Sequence, residues 1–256
     1  MTNLSVPARP EATISPRAIA LIAGLCLLAM AVVAPFALFG VMGSIVVPGD
    51  ATATVSNLIA SEGLFRVGIA AFLIVIMLDL VVAWALYALL RAVHPTLAVL
   101  TAWLRLAVAA VNASALISLL DVAQLVGGPS GPTLQGDQLQ ATVMASLASF
   151  DNGWIAIALS IFGLHLLGLG YLVARSAMFP MSKILGVLVI VSGLGYLVDS
   201  FGMILVPDYA WTIGMFAFVG EALLILALLW RAVSGFPSRS EVVTAAPLSQ
   251  PAPVAS

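Results

Sequence analysis

Four side chains able to carry charge lie inside separate long apolar stretches: Asp79, Arg105, His165 and Glu221. Two acids, a permanent cation and an imidazole can pair with one another, bind a polar solute or hold a proton. Their spacing sets them at one depth. Asp79 lies twelve positions before Arg91, His165 ten before Arg175 and Glu221 ten before Arg231, while Arg105 lies ten after Pro95, where its stretch begins. If those markers share one membrane face, a helical rise of ~1.5 Å per residue puts all four groups roughly 15–18 Å from it. That is near the middle of a ~30 Å hydrocarbon core. An isolated Asp, Arg or Glu there costs about 3 kcal/mol on insertion scales, so the groups are expected to pair or to face water.

Asp79 and Arg105 form the best pair, on consecutive antiparallel stretches joined by a short loop. Ala98, Thr101, Arg105, Ala109 and Asn112 recur every three or four residues and form one small or polar face. Asp79 shares its face with Ala83 and Tyr87, His165 with Trp154, Ala158 and Gly168, and Glu221 with Gly214 and Ala217. Such faces point into a bundle. The layer reads in two ways: a static network that fixes helix packing, or a ligand- or proton-binding site whose charge is set by His165 and one acid. A second, outer polar layer is expected from Arg66, Asp199 and Asn112, with Arg66 reaching Asp199. Asp121 points ~160° away from Arg105 on an ideal helix and is expected to snorkel to the interface.

The elements that must hold these groups follow from composition. Hydrophobic residues make up 62% of the 256-residue chain and charged residues 8%, with a mean hydropathy of +1.19. A soluble domain carries roughly 25% charged residues. The expected class is therefore an all-α polytopic membrane helix bundle, with the lipid bilayer as its first partner. Six stretches can cross: 18–40, 64–90, 96–126, 153–173, 184–205 and 210–230. Arg9, Arg17, Arg91, Arg175, Lys183, Arg231 and Arg239 all fall on one side of those spans. The positive-inside rule then puts both termini in the cytoplasm. The arginine bias suggests a GC-rich bacterium, hence the bacterial cytoplasmic membrane.

Arg17, an apolar run and Ala29-Met30-Ala31 imitate a cleavable signal peptide. The run continues to Gly40, so a retained first span is expected. Residues 1–16 and 236–256 read as disordered cytoplasmic tails around a transmembrane domain at 17–235. Two short outer amphipathic helices are expected. One follows the turn Pro48-Gly49-Asp50, with Asp50 as its cap and Val55, Leu58 and Ile59 on its apolar face. The other starts near Asp137 with Leu139, Val143, Leu147 and Phe150, and breaks at Asp151-Asn152-Gly153 before the fourth span. Both are read as lying on the lipid headgroups, in preference to covering a cavity.

The stretches Pro48-Gly49-Asp50-Ala51-Thr52-Ala53 and Ala60-Ser61-Glu62-Gly63-Leu64-Phe65-Arg66-Val67-Gly68-Ile69 occur in order with three later motifs. These are Gly163-Leu164-His165-Leu166 with Gly170-Tyr171-Leu172, Ile184-Leu185-Gly186 leading to Gly195-Tyr196-Leu197-Val198-Asp199-Ser200, and Gly220-Glu221. In these the chain resembles the bacterial six-span membrane family of domain-of-unknown-function 4386, from about residue 18 to 235. The resemblance implies the fold and carries over no activity.

Several chemistries find no support. There is no Gly-rich phosphate loop, His-Glu-x-x-His pair or Gly-x-Ser-x-Gly elbow. Cys26 is the only cysteine, and no Cys/His cluster has metal spacing. Ser160 lies ~140° round the helix from His165. A net charge of −2 gives no reason for a nucleic-acid partner. An enzyme is disfavoured, and no cofactor or metal is expected. The leading expectation is a small-solute or proton-linked transport or ligand-binding membrane protein, with Asp79, Arg105, His165 and Glu221 lining its site. The alternatives are a structural or partner-binding membrane protein whose charges only fix packing, and a quinone- or haem-associated membrane enzyme.

Overall fold

The computed structural model describes residues 14–127, 134–209 and 213–236. The tails at 1–13 and 237–256, and the Gly/Pro-rich run at 128–133, lie outside the described residues. All regular structure among those described is helical.

Helix α1 spans Pro16–Ile45. Ser15 caps it, its hydroxyl accepting from Ala18 N at 3.3 Å, and Pro16 opens the first turn where no amide bond is needed. Pro35 lies inside the helix, and the π-helical segment Phe36–Met42 follows it. The chain stays helical through that wider-wound segment and runs on past Gly40. A type II turn follows: Asp50 N bonds Val47 O at 3.1 Å, and Gly49 takes the required positive φ of 78°. Asp50 caps helix α2, Ala51–Ala60, accepting from Ala53 N at 2.8 Å. Helix α3 is Glu62–Leu90 and α4 is Pro95–Val126, the latter capped by His94.

Helix α5 runs from Gly136 to Arg175. The break expected at Asp151-Asn152-Gly153 does not occur, because the π-helical segment Asn152–Ala158 carries the chain through. Gly153 serves a close approach rather than a turn: a Cβ there would sit 2.7 Å from Ala115 Cβ on α4. Trp154 then packs on Phe72 and Phe150, at 4.7 and 5.5 Å between ring centroids. At ~1.5 Å per residue α5 is ~60 Å long, about twice the depth of a hydrocarbon core. Helices α6, Ser182–Leu205, and α7, Ile213–Ser234, complete the chain.

Five of these helices, α1, α3, α4, α5 and α6, are long and apolar enough to cross a membrane. The sixth expected stretch forms α7, of 22 residues. The long helices form a ring in chain order: α1 packs on α3, α3 on α4, α4 on α5, α5 on α6, α6 on α7, and α7 returns to α1. Outward positions carry large apolar side chains, such as Phe39 at 71% exposure, Trp103 at 64% and Leu226 at 62%. Water would penalise so broad an apolar surface, whereas lipid accepts it.

Two apolar clusters fill the interior. One joins Ala20, Leu86, Ala98, Leu169, Val189 and Leu228. The other joins Val41, Phe65, Phe72, Leu119 and Val122 to Val55 and Leu58 of α2 and to Leu139, Val143, Leu147 and Phe150 of α5. The two outer amphipathic segments thus bury their apolar faces on the bundle and on each other, not on headgroups. Partnered aromatic and aliphatic side chains on α3 and α4 supply the surface. Ile59, expected on the buried face, is exposed.

Candidate functional site: a polar seam between the apolar clusters

On α3 the buried positions Phe72, Val75, Ile76, Asp79, Val82, Ala83 and Leu86 recur at three- and four-residue intervals, which turns Asp79 inward. On α4 the face of Ala98, Thr101, Arg105, Ala109 and Asn112 is likewise buried. The expected Asp79–Arg105 pair forms, with Arg105 Nη2 2.6 Å from Asp79 Oδ1. Both side chains are almost wholly out of reach of solvent. Breaking such a pair by removing one partner costs about 3–5 kcal/mol, because the other charge is left alone.

His165 joins this pair. Its Nδ1 donates to the Thr101 carbonyl at 2.7 Å, and its Nε2 faces Arg105 Nη1 at 3.4 Å. A carbonyl can only accept and a guanidinium can only donate, so the ring is neutral with its proton on Nδ1. The imidazole thereby spans one turn of α4. Gly168, one turn along α5, makes this possible: a Cβ there would collide with Thr101 Cγ2.

Phe162 continues the seam. Its ring stacks on His165 at 5.6 Å, carries the Arg105 guanidinium 5.3 Å from its centroid, and meets Tyr196 at 5.8 Å. Tyr196 on α6 donates its hydroxyl to Glu221 Oε1 on α7 at 2.7 Å. Arg105 and Asp79 lie near enough to act electrostatically on the Glu221 carboxylate. The four residues singled out from the sequence therefore fall along one seam in two parts: Asp79–Arg105–His165, and Glu221 with Tyr196. Phe162 and Tyr196 were not singled out. Phe162 lies three residues before His165, a spacing that places them on one face. Tyr196 lies four after Ser192 and one after Gly195, both buried on α6.

Besides Asp79 Oδ1, which is ion-paired with Arg105, two buried atoms in the seam have no protein hydrogen-bond partner: Arg105 Nε and Asn112 Oδ1. Each such atom costs about 1–3 kcal/mol when left unsatisfied. Among the described residues no cluster of three His, Cys, Asp or Glu could hold a metal ion.

The outer layer is arranged differently from the expectation. Arg66 bonds Glu62 Oε1 at 2.7 Å, one turn back, and the Ala123 carbonyl at 3.2 Å, and is half exposed. Asp199 instead caps α7, accepting from Ile213 N at 3.0 Å, Gly214 N at 2.6 Å and the Tyr209 hydroxyl at 2.8 Å. The order of the ring explains why the two do not meet: α3 has α1 and α4 as neighbours, and α6 has α5 and α7. The positive end of α7 also draws the carboxylate. Desolvation, followed by the bond to Asp199, pushes the Tyr209 phenol above its ordinary range, so it remains a donor at neutral pH. Asn112 is buried on the Arg105 face, and Asp121 is exposed.

An all-helical ring with lipid-compatible outer faces and its buried charges gathered along an internal seam is a membrane-embedded helix bundle. The chain belongs to a family described as a domain of unknown function, DUF4386, whose model matches residues 22–232. An uncharacterized protein of Archaeoglobus fulgidus is 32% identical over 171 residues, covering 67% of this chain and 85% of the relative. No solved structure matches.

Proposed function

We propose that the protein crosses the bacterial cytoplasmic membrane six times with both termini in the cytoplasm, and that the seam binds a small polar solute or a proton. The observation that carries this reading is Glu221. Arg105 is already committed to Asp79 and faces His165, so the carboxylate of Glu221 is held by one neutral donor, Tyr196. An acid so placed, among groups from three other helices, can change its partner or its proton without dismantling the Asp79–Arg105 pair. Helix α2 and the first half of α5 cover the outer end of the bundle above it.

The test is flux. The purified full chain in liposomes, with an entrapped pH dye, is expected to show proton or solute-coupled uptake under a pH gradient, and Glu221→Gln to lose it. Equal traces for wild type, Glu221→Gln and empty liposomes across a panel of small polar solutes would sink the reading.

A second reading is favoured for one part of the seam. His165 uses both ring nitrogens, and Asp79 and Arg105 use each other. Those mutual contacts suit a fixed junction holding α3, α4 and α5 together, with exchange confined to Glu221 and Tyr196.

A further inference from the structure

At the end of the bundle opposite α2, three helix ends meet: the last turn of α3, the start of α4 and the last turn of α5. Between them lies a cleft of about 500 Å³, lined by Val93, His94, Tyr171, Arg175 and Ser176 among others. We propose that this cleft binds a phosphate group, with Arg175 and His94 as its donors.

Charge is the first support. The segments 80–120 and 152–198 contain no Asp or Glu, yet they contribute Arg91, His94, Arg175 and Lys183 to this end of the molecule. The ion pairs among the described residues are Arg66–Glu62 and Arg105–Asp79, which leaves Arg175 without an acidic partner. Positioning is the second. The Arg175 guanidinium stands over the Tyr171 ring, 5.5 Å from its centroid, which fixes its planar fork at the cleft. The third is the histidine. Leu97 N–H donates to His94 Nδ1 at 3.1 Å, so the proton of the neutral ring sits on Nε2 and remains free to donate. Ser176 gives its own hydroxyl proton to the Val173 carbonyl at 2.8 Å, so it can only accept, and Arg175 and His94 are left as donors. The positive end of α4 opens at the same place. A fork of guanidinium donors with a third N–H suits the oxygens of a phosphate ester or of inorganic phosphate. Helix ends at this level stand among lipid headgroups, so both a phospholipid and a soluble phosphate have access.

The experiment uses the full chain, delipidated in neutral detergent and followed by native mass spectrometry. It is titrated with dihexanoyl phosphatidylglycerol and, separately, with inorganic phosphate. One saturable equivalent of either is expected. Saturation by the lipid alone assigns the site to a headgroup, and saturation by inorganic phosphate assigns it to a soluble anion. Arg175→Gln should weaken binding about tenfold, the share of one charge-assisted fork, while Lys183→Gln, outside the cleft, should not. In the wild-type chain the bound probe should also protect Arg175 from phenylglyoxal, read by peptide mass, which needs no substitution. No saturable binding of either probe, undiminished binding in Arg175→Gln, or no protection of Arg175 would each overturn the proposal.

Discussion

His165 on α5 donates to the carbonyl of Thr101 on α4 and turns its other nitrogen to Arg105, one helical turn further along. The imidazole is therefore a clamp across a single turn of the neighbouring helix. It also fixes the face of Arg105 that is left for Asp79. The pairing of α3 with α4 and the docking of α5 are thus one arrangement.

Removing the clamp should loosen both contacts. His165→Ala is expected to lower stability by about 1–3 kcal/mol, the usual cost of a buried donor or acceptor losing its partner. His165→Gln, which can still accept from Arg105, should recover part of it. Thermal unfolding in detergent, with tryptophan emission as the signal, measures both. Equal stability of wild type and His165→Ala would show that the clamp carries no load.

The ion pair is tested by a double-mutant cycle. Asp79→Asn and Arg105→Gln should each cost about 3–5 kcal/mol, and the double change much less than their sum, since neither charge is then left alone. Denaturant titration of the four proteins gives the coupling. If flux in liposomes is lost in the single changes and returns in the double, the pair is a packing device. If flux stays lost although stability returns, the charges themselves take part.

Legibility from sequence followed a physical boundary. Faces within one helix could be read, because spacing of three and four fixes them: the buried row Ala98–Asn112 and the inward turn of Asp79 follow from that alone. Neighbours in sequence could be paired too, since Asp79 and Arg105 lie at matching depth on consecutive helices. What could not be read was the order of helices round the ring. Arg66 and Asp199 lie at similar outer depth, but on α3 and α6, which are not adjacent. The Asn152-Gly153 pair carries the composition of a turn, yet Ala115 fills the space that a side chain at 153 would need, and the helix continues. Tyr196 was not singled out, because its role needs α7 beside α6.

That adjacency depends on α5 and α6 crossing very closely. A Cβ on Gly170 would meet the Gly186 carbonyl oxygen at 2.6 Å, and one on Gly163 would meet the Gly193 oxygen at 2.7 Å. Two backbone contacts seven residues apart set the register that brings Phe162 to Tyr196. Gly170→Val is expected to force the helices apart and to destabilise by about 3 kcal/mol or more, beyond ordinary overpacking because backbone cannot yield as a side chain does. The same denaturant titration reads it. A loss under about 1 kcal/mol would mean that the crossing relaxes without cost.

Asp199 predicts a local effect. It holds three donors at the start of α7, and Asp199→Ala should cost about 1–2 kcal/mol, as loss of a strong cap does, with Asp199→Asn recovering most of it. Hydrogen exchange should rise at Ile213 and Gly214 and stay unchanged at Leu228. Uniform change along α7 would mean that Asp199 acts on the whole bundle rather than on the helix end.

Closure of the ring can be tested by a bond. Gly24 on α1 lies against α7, where an added Cβ would stand 2.9 Å from Leu229 Cγ and 3.3 Å from Leu229 N. Two cysteines whose Cβ atoms lie within about 3.5–4.5 Å can form a disulfide. Because Cys26 is the single native cysteine, Cys26→Ser gives a clean background for Gly24→Cys with Leu229→Cys. Mild oxidation should join α1 to α7, and cleavage between them should then leave one band without reductant and two with it. The control pair Gly24→Cys with Leu100→Cys, on a helix that does not adjoin α1, should stay separate. Efficient bonding of the control, or none of the first pair, would mean that the last helix does not return to the first. Glu221 would then lose the neighbours that turn it toward the seam.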